Sequence, residues 1–141
     1  MAQTINPLAQ VPLFSQLSKK SLERISRALR ERHFDAGHTV VAEGDEGVGM
    51  FIVTSGKAEI TRGGTKLDEV GPGGFFGEMA LLDHRRRSAT VKTLEPTDCL
   101  ALPRSDFMAE LRSDPDLAIE LLEVLSRRIR DLDERVGAAS H

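Results

Sequence analysis

The chain has 141 residues, enough for one domain with a buried core and too few for two ordinary domains. Apolar side chains make up 40% and glycine adds 12 residues, a globular composition that excludes disorder as the global state. Lys and Arg number 19 against 22 Asp and Glu, so a net charge of −3 offers no field for nucleic acid or an anionic membrane, and six Phe without Trp or Tyr leave few stacking platforms.

The first twenty residues, MAQTINPLAQVPLFSQLSKK, lack a basic start, a continuous apolar run and a small-residue cleavage site. Cys99 stands alone and forms no internal disulfide, so the expected setting is cytoplasmic, with no membrane contact. After Ser18, a residue suited to capping, Leu22, Ile25, Ala28 and Leu29 recur at helical spacing and predict a helix from about Lys19 to Arg32. Short runs of Val, Ile, Phe and Thr then predict strands at Thr39 to Ala42, Met50 to Thr54, Ala58 to Thr61, Lys66 to Val70, Ala89 to Leu94 and Asp98 to Leu102. Gly63-Gly64 marks a hairpin, and eight glycines between Gly44 and Gly73 predict closely spaced turns in a compact roll. Ser105 to Leu111 reads as a short helix, and Asp114-Pro115 opens a longer one that Gly137 would end after Val136. The expectation is a single α+β domain over 1–141. A helical segment at 1–34 and helices within 105–136 flank an antiparallel, jelly-roll-like β roll at 35–102.

Along the last helix Ala118, Leu122, Leu125, Ile129, Leu132 and Val136 form a strict heptad seam. Such a seam suits packing on the chain's own roll, and it equally suits a two-stranded pairing with a second copy. Leu117, Leu121 and Val124 lie off the seam and could face the roll while the seam faces a homodimer partner.

The stretch GPGGFFGEMALLDHRRRSATV, Gly71 to Val91, concentrates the chemistry. Gly73, Gly74 and Gly77 let the main chain approach a ligand closely, and Glu78 to Leu82 has the propensity for a short helix. Free amides at a helix start favour a phosphate, and the Arg87 fork adds two charge-assisted hydrogen bonds to the same group. Ser88 adds a hydroxyl and an amide. Glu78 repels phosphate but accepts from sugar hydroxyls, so phosphate and ribose together point to a nucleotide.

The run Phe76-Gly77-Glu78-Met79-Ala80-Leu81, followed by Arg87-Ser88-Ala89, resembles the phosphate-binding cassette of the cyclic nucleotide-binding domain family, here over 74–89. FDAGHTVVAEGDEGVGMFIVTSGKAEI is similar to that family's strands and turns, and both helical ends resemble it too. The resemblance implies that Arg87 pairs with the cyclic phosphate and Glu78 accepts from the ribose 2′-hydroxyl. Gly77, Met79, Ser88 and Ala89 would then contribute amides, with Phe76 and Ala80 completing the cassette. It also implies cyclic AMP as the default ligand, with cyclic GMP an alternative. In catabolite-activator-like members the last helix contacts the base, and here that region offers Arg128, Leu132 and Asp133. Leu132 would cover the base and Asp133 would accept from an amino group. Arg86 stands where many members have Pro, which predicts a more basic and less rigid loop from Asp83 to Arg86.

Three other readings stand beside this one. Glu78 and Arg87 could form an internal salt bridge in a roll that binds nothing, leaving a dimerising interaction module. His33, His38, His84 and His141 show no paired spacing for a metal, and no nucleophile set stands out, so neither a metal nor an enzyme is expected. Arg85-Arg86-Arg87 is too short a basic run to bind nucleic acid. The sensor is expected to act on an output element supplied by an unknown effector or by the rest of a longer protein.

Overall fold

Ser18 caps the helix that follows it, as its position suggests. Its hydroxyl accepts from the Ser21 N–H at 3.2 Å, and α1 covers Lys19–Ser26 with Leu22 and Ile25 buried. The computed structural model describes residues 7–46, 49–83 and 86–140, with the side chains at 79 and 135–140 outside the description. Helix α1 stops at Ser26, well short of the expected Arg32. Residues 30–34 instead form strand β1, Arg30–Phe34, paired with a later strand from Arg30↔Ala101 to Phe34↔Thr97. The charged run Arg30-Glu31-Arg32-His33 has no alternation to betray a strand, and such charges are what an edge strand carries. The helical segment expected over 1–34 therefore runs into the sheet.

The remaining strands are β2 Thr39–Val41, β3 Gly49–Ser55, β4 Ala58–Arg62, β5 Thr65–Val70, β6 Phe75–Phe76, β7 Thr90–Thr93 and β8 Thr97–Pro103. All pair antiparallel, in two four-stranded sheets ordered β1-β8-β3-β6 and β2-β7-β4-β5. Gly63 and Gly64 turn the β4–β5 hairpin at φ of +57° and +80°, a region only glycine enters freely. Successive side chains on a strand point to opposite faces. Along β3, Met50 and Ile52 therefore join the core beneath the helices, while Phe51 and Val53 join the core between the sheets. Strand β8 divides in the same way, Leu100 and Leu102 to the first and Cys99 and Ala101 to the second. The first sheet is thus the middle layer, which is why both strands read as apolar runs.

Helices α2, Arg104–Ser113, and α3, Pro115–Ser140, complete the fold. The Asp114 carboxylate accepts from the Leu117 N–H at 3.3 Å and starts α3. The helix continues through Gly137, contrary to the expected stop: glycine costs only about 1 kcal/mol inside a helix, and Ala138-Ala139 are strong formers. The off-seam residues Leu117, Leu121 and Val124 are buried among the helical core. Leu8, Val11, Leu13, Phe14 and Leu17 fill the same core, with Phe14 edge-on to Phe107. Glu120 fastens α3 to α1 by accepting from the Ser18 N–H at 2.8 Å, the Ser18 hydroxyl at 3.2 Å and the Ser21 hydroxyl. Arg127 Nε adds a bond to Gln16 Oε1 at 2.6 Å, beyond which residues 129–134 are all exposed. Among the described residues no helix is long and apolar enough to cross a membrane.

Candidate ligand-binding site

The glycine-rich segment makes a tight turn followed by a short strand and a single 3₁₀ turn. Strand β6 pairs with β3 through Phe51↔Phe76 and Ile52↔Phe75, and the 3₁₀ turn covers Glu78–Leu81. Gly77 joins them at φ +83°. A Cβ there would meet the Arg87 guanidinium and fall 2.7 Å from the Gly49 carbonyl oxygen, a backbone atom, so the turn at this φ is one that glycine fills.

A cavity of about 490 Å³ opens over this turn, within the range of small-molecule sites. Phe76, Gly77, Glu78, Ala80, Arg87, Ser88 and Ala89 line it, so the structure brings the expected cassette residues together. Met79 belongs to the 3₁₀ turn by its backbone, and its side chain lies outside the description. Val41, Ile60 and Val91 form the opposite wall, with Asp83 and Arg86 also lining it. Reading the sequence alone placed Asp83 and Arg86 in the cassette loop without making them contacts, and it missed the three aliphatic residues altogether. The aliphatic three become neighbours through register, Ile60↔Val91 and Val41↔Val91. The usable signal was the inward-facing position each holds on a strand with period two.

Arg87 is half-buried; its Nη2 donates to the Gly49 carbonyl, while its Nε is buried with no hydrogen-bond partner. Burial pulls the guanidinium below its usual pKa, the effect of holding a cation away from water, though an arginine stays charged throughout. Glu78 Oε2 is likewise buried and without a partner. Among the described residues no ion pair joins Glu78 to Arg87. A cation, a carboxylate and an aliphatic wall around one cavity suit a ligand with an anionic group, sugar hydroxyls and a flat apolar face.

The three expected contacts from the last helix are elsewhere. Arg128, Leu132 and Asp133 do not line the cavity. Leu132 is 57% exposed, Asp133 is exposed, and Arg128 is half-buried with Nη1 unpartnered. The reason is packing: α3 is held by its buried face on the helix side of the middle sheet, whereas Val41, Ile60 and Val91 belong to the other sheet. Among the described residues no group of three His, Cys, Asp or Glu side chains could hold a metal ion. Cys99 is buried and desolvation pushes its thiol up to about 11, so it serves as a core residue.

A model of the cyclic nucleotide-binding domain family matches residues 31–114. The cyclic AMP receptor protein of Thermus thermophilus is 37% identical over 127 residues, covering 86% of this chain and 59% of its own length. The chain therefore spans about three fifths of that relative. The crystal structure of the N-terminal domain of a transcriptional regulator from Streptomyces coelicolor A3(2) superposes with a TM-score of 0.82 at 31% identity, covering 91% of this chain and 95% of that one. The regulatory domain of Toxoplasma gondii PKA, solved with cAMP, superposes with a TM-score of 0.70 at 35% identity, covering 77% of this chain and 43% of that one.

Proposed function

We propose that this chain, which belongs to the cyclic nucleotide-binding domain family, senses a cyclic nucleotide, cyclic AMP ahead of cyclic GMP, and passes the binding event to its last helix. The observation that carries this reading is the pair of orphaned buried atoms at one cavity, Arg87 Nε and Glu78 Oε2, a donor and an acceptor that do not satisfy each other. Buried polar groups are costly without partners, and a cyclic phosphate with an adjacent ribose hydroxyl supplies both. In this reading Arg87 holds the phosphate, Glu78 accepts from the 2′-hydroxyl, and amides of Gly77, Met79, Ser88 and Ala89 add donors. The base lies on Val41, Ile60 and Val91. Leu132, Asp133 and Arg128 reach it only if α3 shifts, and binding drives that shift only by favouring the shifted arrangement.

Calorimetric titration with cyclic AMP and cyclic GMP tests the reading. No heat and no shift in melting temperature with either would remove it. Arg87→Ala is expected to weaken binding by two orders of magnitude or more, since two charge-assisted hydrogen bonds at about 1.5 to 3 kcal/mol each are lost. Unchanged affinity would overturn the phosphate assignment.

Pairing with a second copy is favoured by the seam itself. Leu122, Ile129 and Leu132 are 64%, 60% and 57% exposed, while the off-seam residues are buried. We therefore place a homodimer contact on α3, to be checked by sedimentation at micromolar concentration; a strictly monomeric species would exclude it. A dimer that binds neither nucleotide would make this an interaction module alone.

A further inference from the structure

We infer that Arg86 is a positioning residue for the phosphate-binding Arg87, a role that rests on the ligand reading above and acts through the loop between β2 and β3. That loop grips the main chain of Arg87 on both sides. The Arg87 N–H donates to the Asp45 carbonyl at 2.7 Å, and its carbonyl accepts from the Gly44 N–H at 2.9 Å. Glu46 and Arg86 form an antiparallel bridge at the same place. The Arg86 side chain then adds a bond of its own, Nη1 donating to the Gly44 carbonyl at 2.8 Å. Both polar groups of the Gly44 residue are thus held by consecutive arginines, one through its backbone and one through its guanidinium.

The consequence follows from side-chain geometry. An arginine reaches its target along a Cα–Cβ direction fixed by its own peptide planes, and Gly44 fixes one of those planes for Arg87. Gly44 stands at φ +86° with no side chain to pack, so the two peptides that meet at its Cα, one carrying its N–H and the other its carbonyl, are held in place by their hydrogen bonds to Arg87 and Arg86. Arg86 supplies one of them from an exposed position at the cavity wall. The looser loop expected from an arginine at this position is therefore tied down at Arg86 by that arginine's own side chain.

The experiment combines amide hydrogen exchange with cyclic AMP titration on Arg86→Ala, with Arg87→Ala as the control for the ligand reading. Arg86→Ala is expected to speed exchange of the Gly44 and Arg87 amides about tenfold while amides of β3 and β8 hold their protection. It should also weaken cyclic AMP about fivefold to tenfold, by the same factor at 0.1 M and at 0.5 M salt. Unchanged exchange at Gly44 and Arg87 would overturn the proposal, as would unchanged affinity. A loss that disappears at 0.5 M salt would overturn it too, because it would mark long-range attraction by the Arg86 charge. If Arg87→Ala keeps full affinity, the ligand reading fails instead, and the exchange measurement still reports on the Gly44 contact.

Discussion

In the middle sheet, β3 and β8 bury both faces, Ile52 and Leu102 among the helices and Val53 and Ala101 toward the second sheet. In the second sheet β5 leaves Thr65 to Glu69 exposed, and Val41, Ile60 and Val91 line the cavity wall. The same alternating pattern thus does two jobs. Where a strand is covered on both sides, each apolar residue stabilises the fold. Where one side faces the cavity, Val41 and Val91 are already buried in the core between the sheets, and Ile60 alone of the three is left half-buried, with apolar surface still uncovered.

Truncation on either side of this divide is the sharpest way to test it. Ile52→Ala, at a residue with 0% exposure, is expected to cost about 2 to 5 kcal/mol in denaturant unfolding. Ile60→Ala, half-buried at the cavity, should cost about 1 kcal/mol or less and fall mainly on cyclic nucleotide affinity. Equal stability losses would erase the distinction. A smaller effect is expected at the polar end of the cavity. Glu78→Gln removes the charge from one hydrogen bond and should weaken cyclic AMP about tenfold or more, while a 2′-deoxy analogue binds wild type and variant nearly alike. A variant that discriminates the two ligands as strongly as wild type would dissociate Glu78 from the ribose.

The smallest effect belongs to the far edge of the middle sheet. His33 on β1 lies 2.7 Å from Asp98 through Nδ1 and 3.6 Å from Asp35 through Nε2. Its hydrogen bond to Asp98 raises its pKa above the usual histidine value. A raised pKa means that the folded state binds the proton more tightly, so this contribution is complete below the ordinary pKa and disappears as pH rises through the folded value. The melting temperature should therefore fall slightly between about pH 6 and pH 8, and His33→Ala should flatten that slope. An identical slope in the variant would show that the ion pair is not felt.

The cassette was legible because its chemistry is written in residue types: glycines for close approach, one acid, one arginine. Six of the strands were legible because alternation and turn residues are local signals. Strand β1 was not, since Arg30 to His33 are exposed and only Phe34 is buried, leaving nothing periodic to read. The cavity wall was hidden for a different reason: Val41, Ile60 and Val91 are distant in sequence and become one surface only through strand register. The end of α3 misled because a glycine that can stop a helix can also be carried through one. Arg86 looked like a loosening substitution, and its hydrogen bond to Gly44 depends on a loop that the sequence does not place beside it.

Helix α3 also has a mechanical property that follows from where it is fastened. Among the described residues, its side-chain hydrogen bonds to the rest of the chain, at Glu120 and Arg127, and its buried contacts, at Leu117, Leu121 and Val124, all fall in its first half, and it runs on to Ser140. At about 1.5 Å per residue the stretch beyond Arg127 is roughly 20 Å long, so a tilt of about ten degrees at the Gln16 contact carries its tip by roughly 3 to 4 Å. By this geometry, a change small enough to be absorbed by one hydrogen bond near Arg127 would become a displacement of several ångströms at the far end.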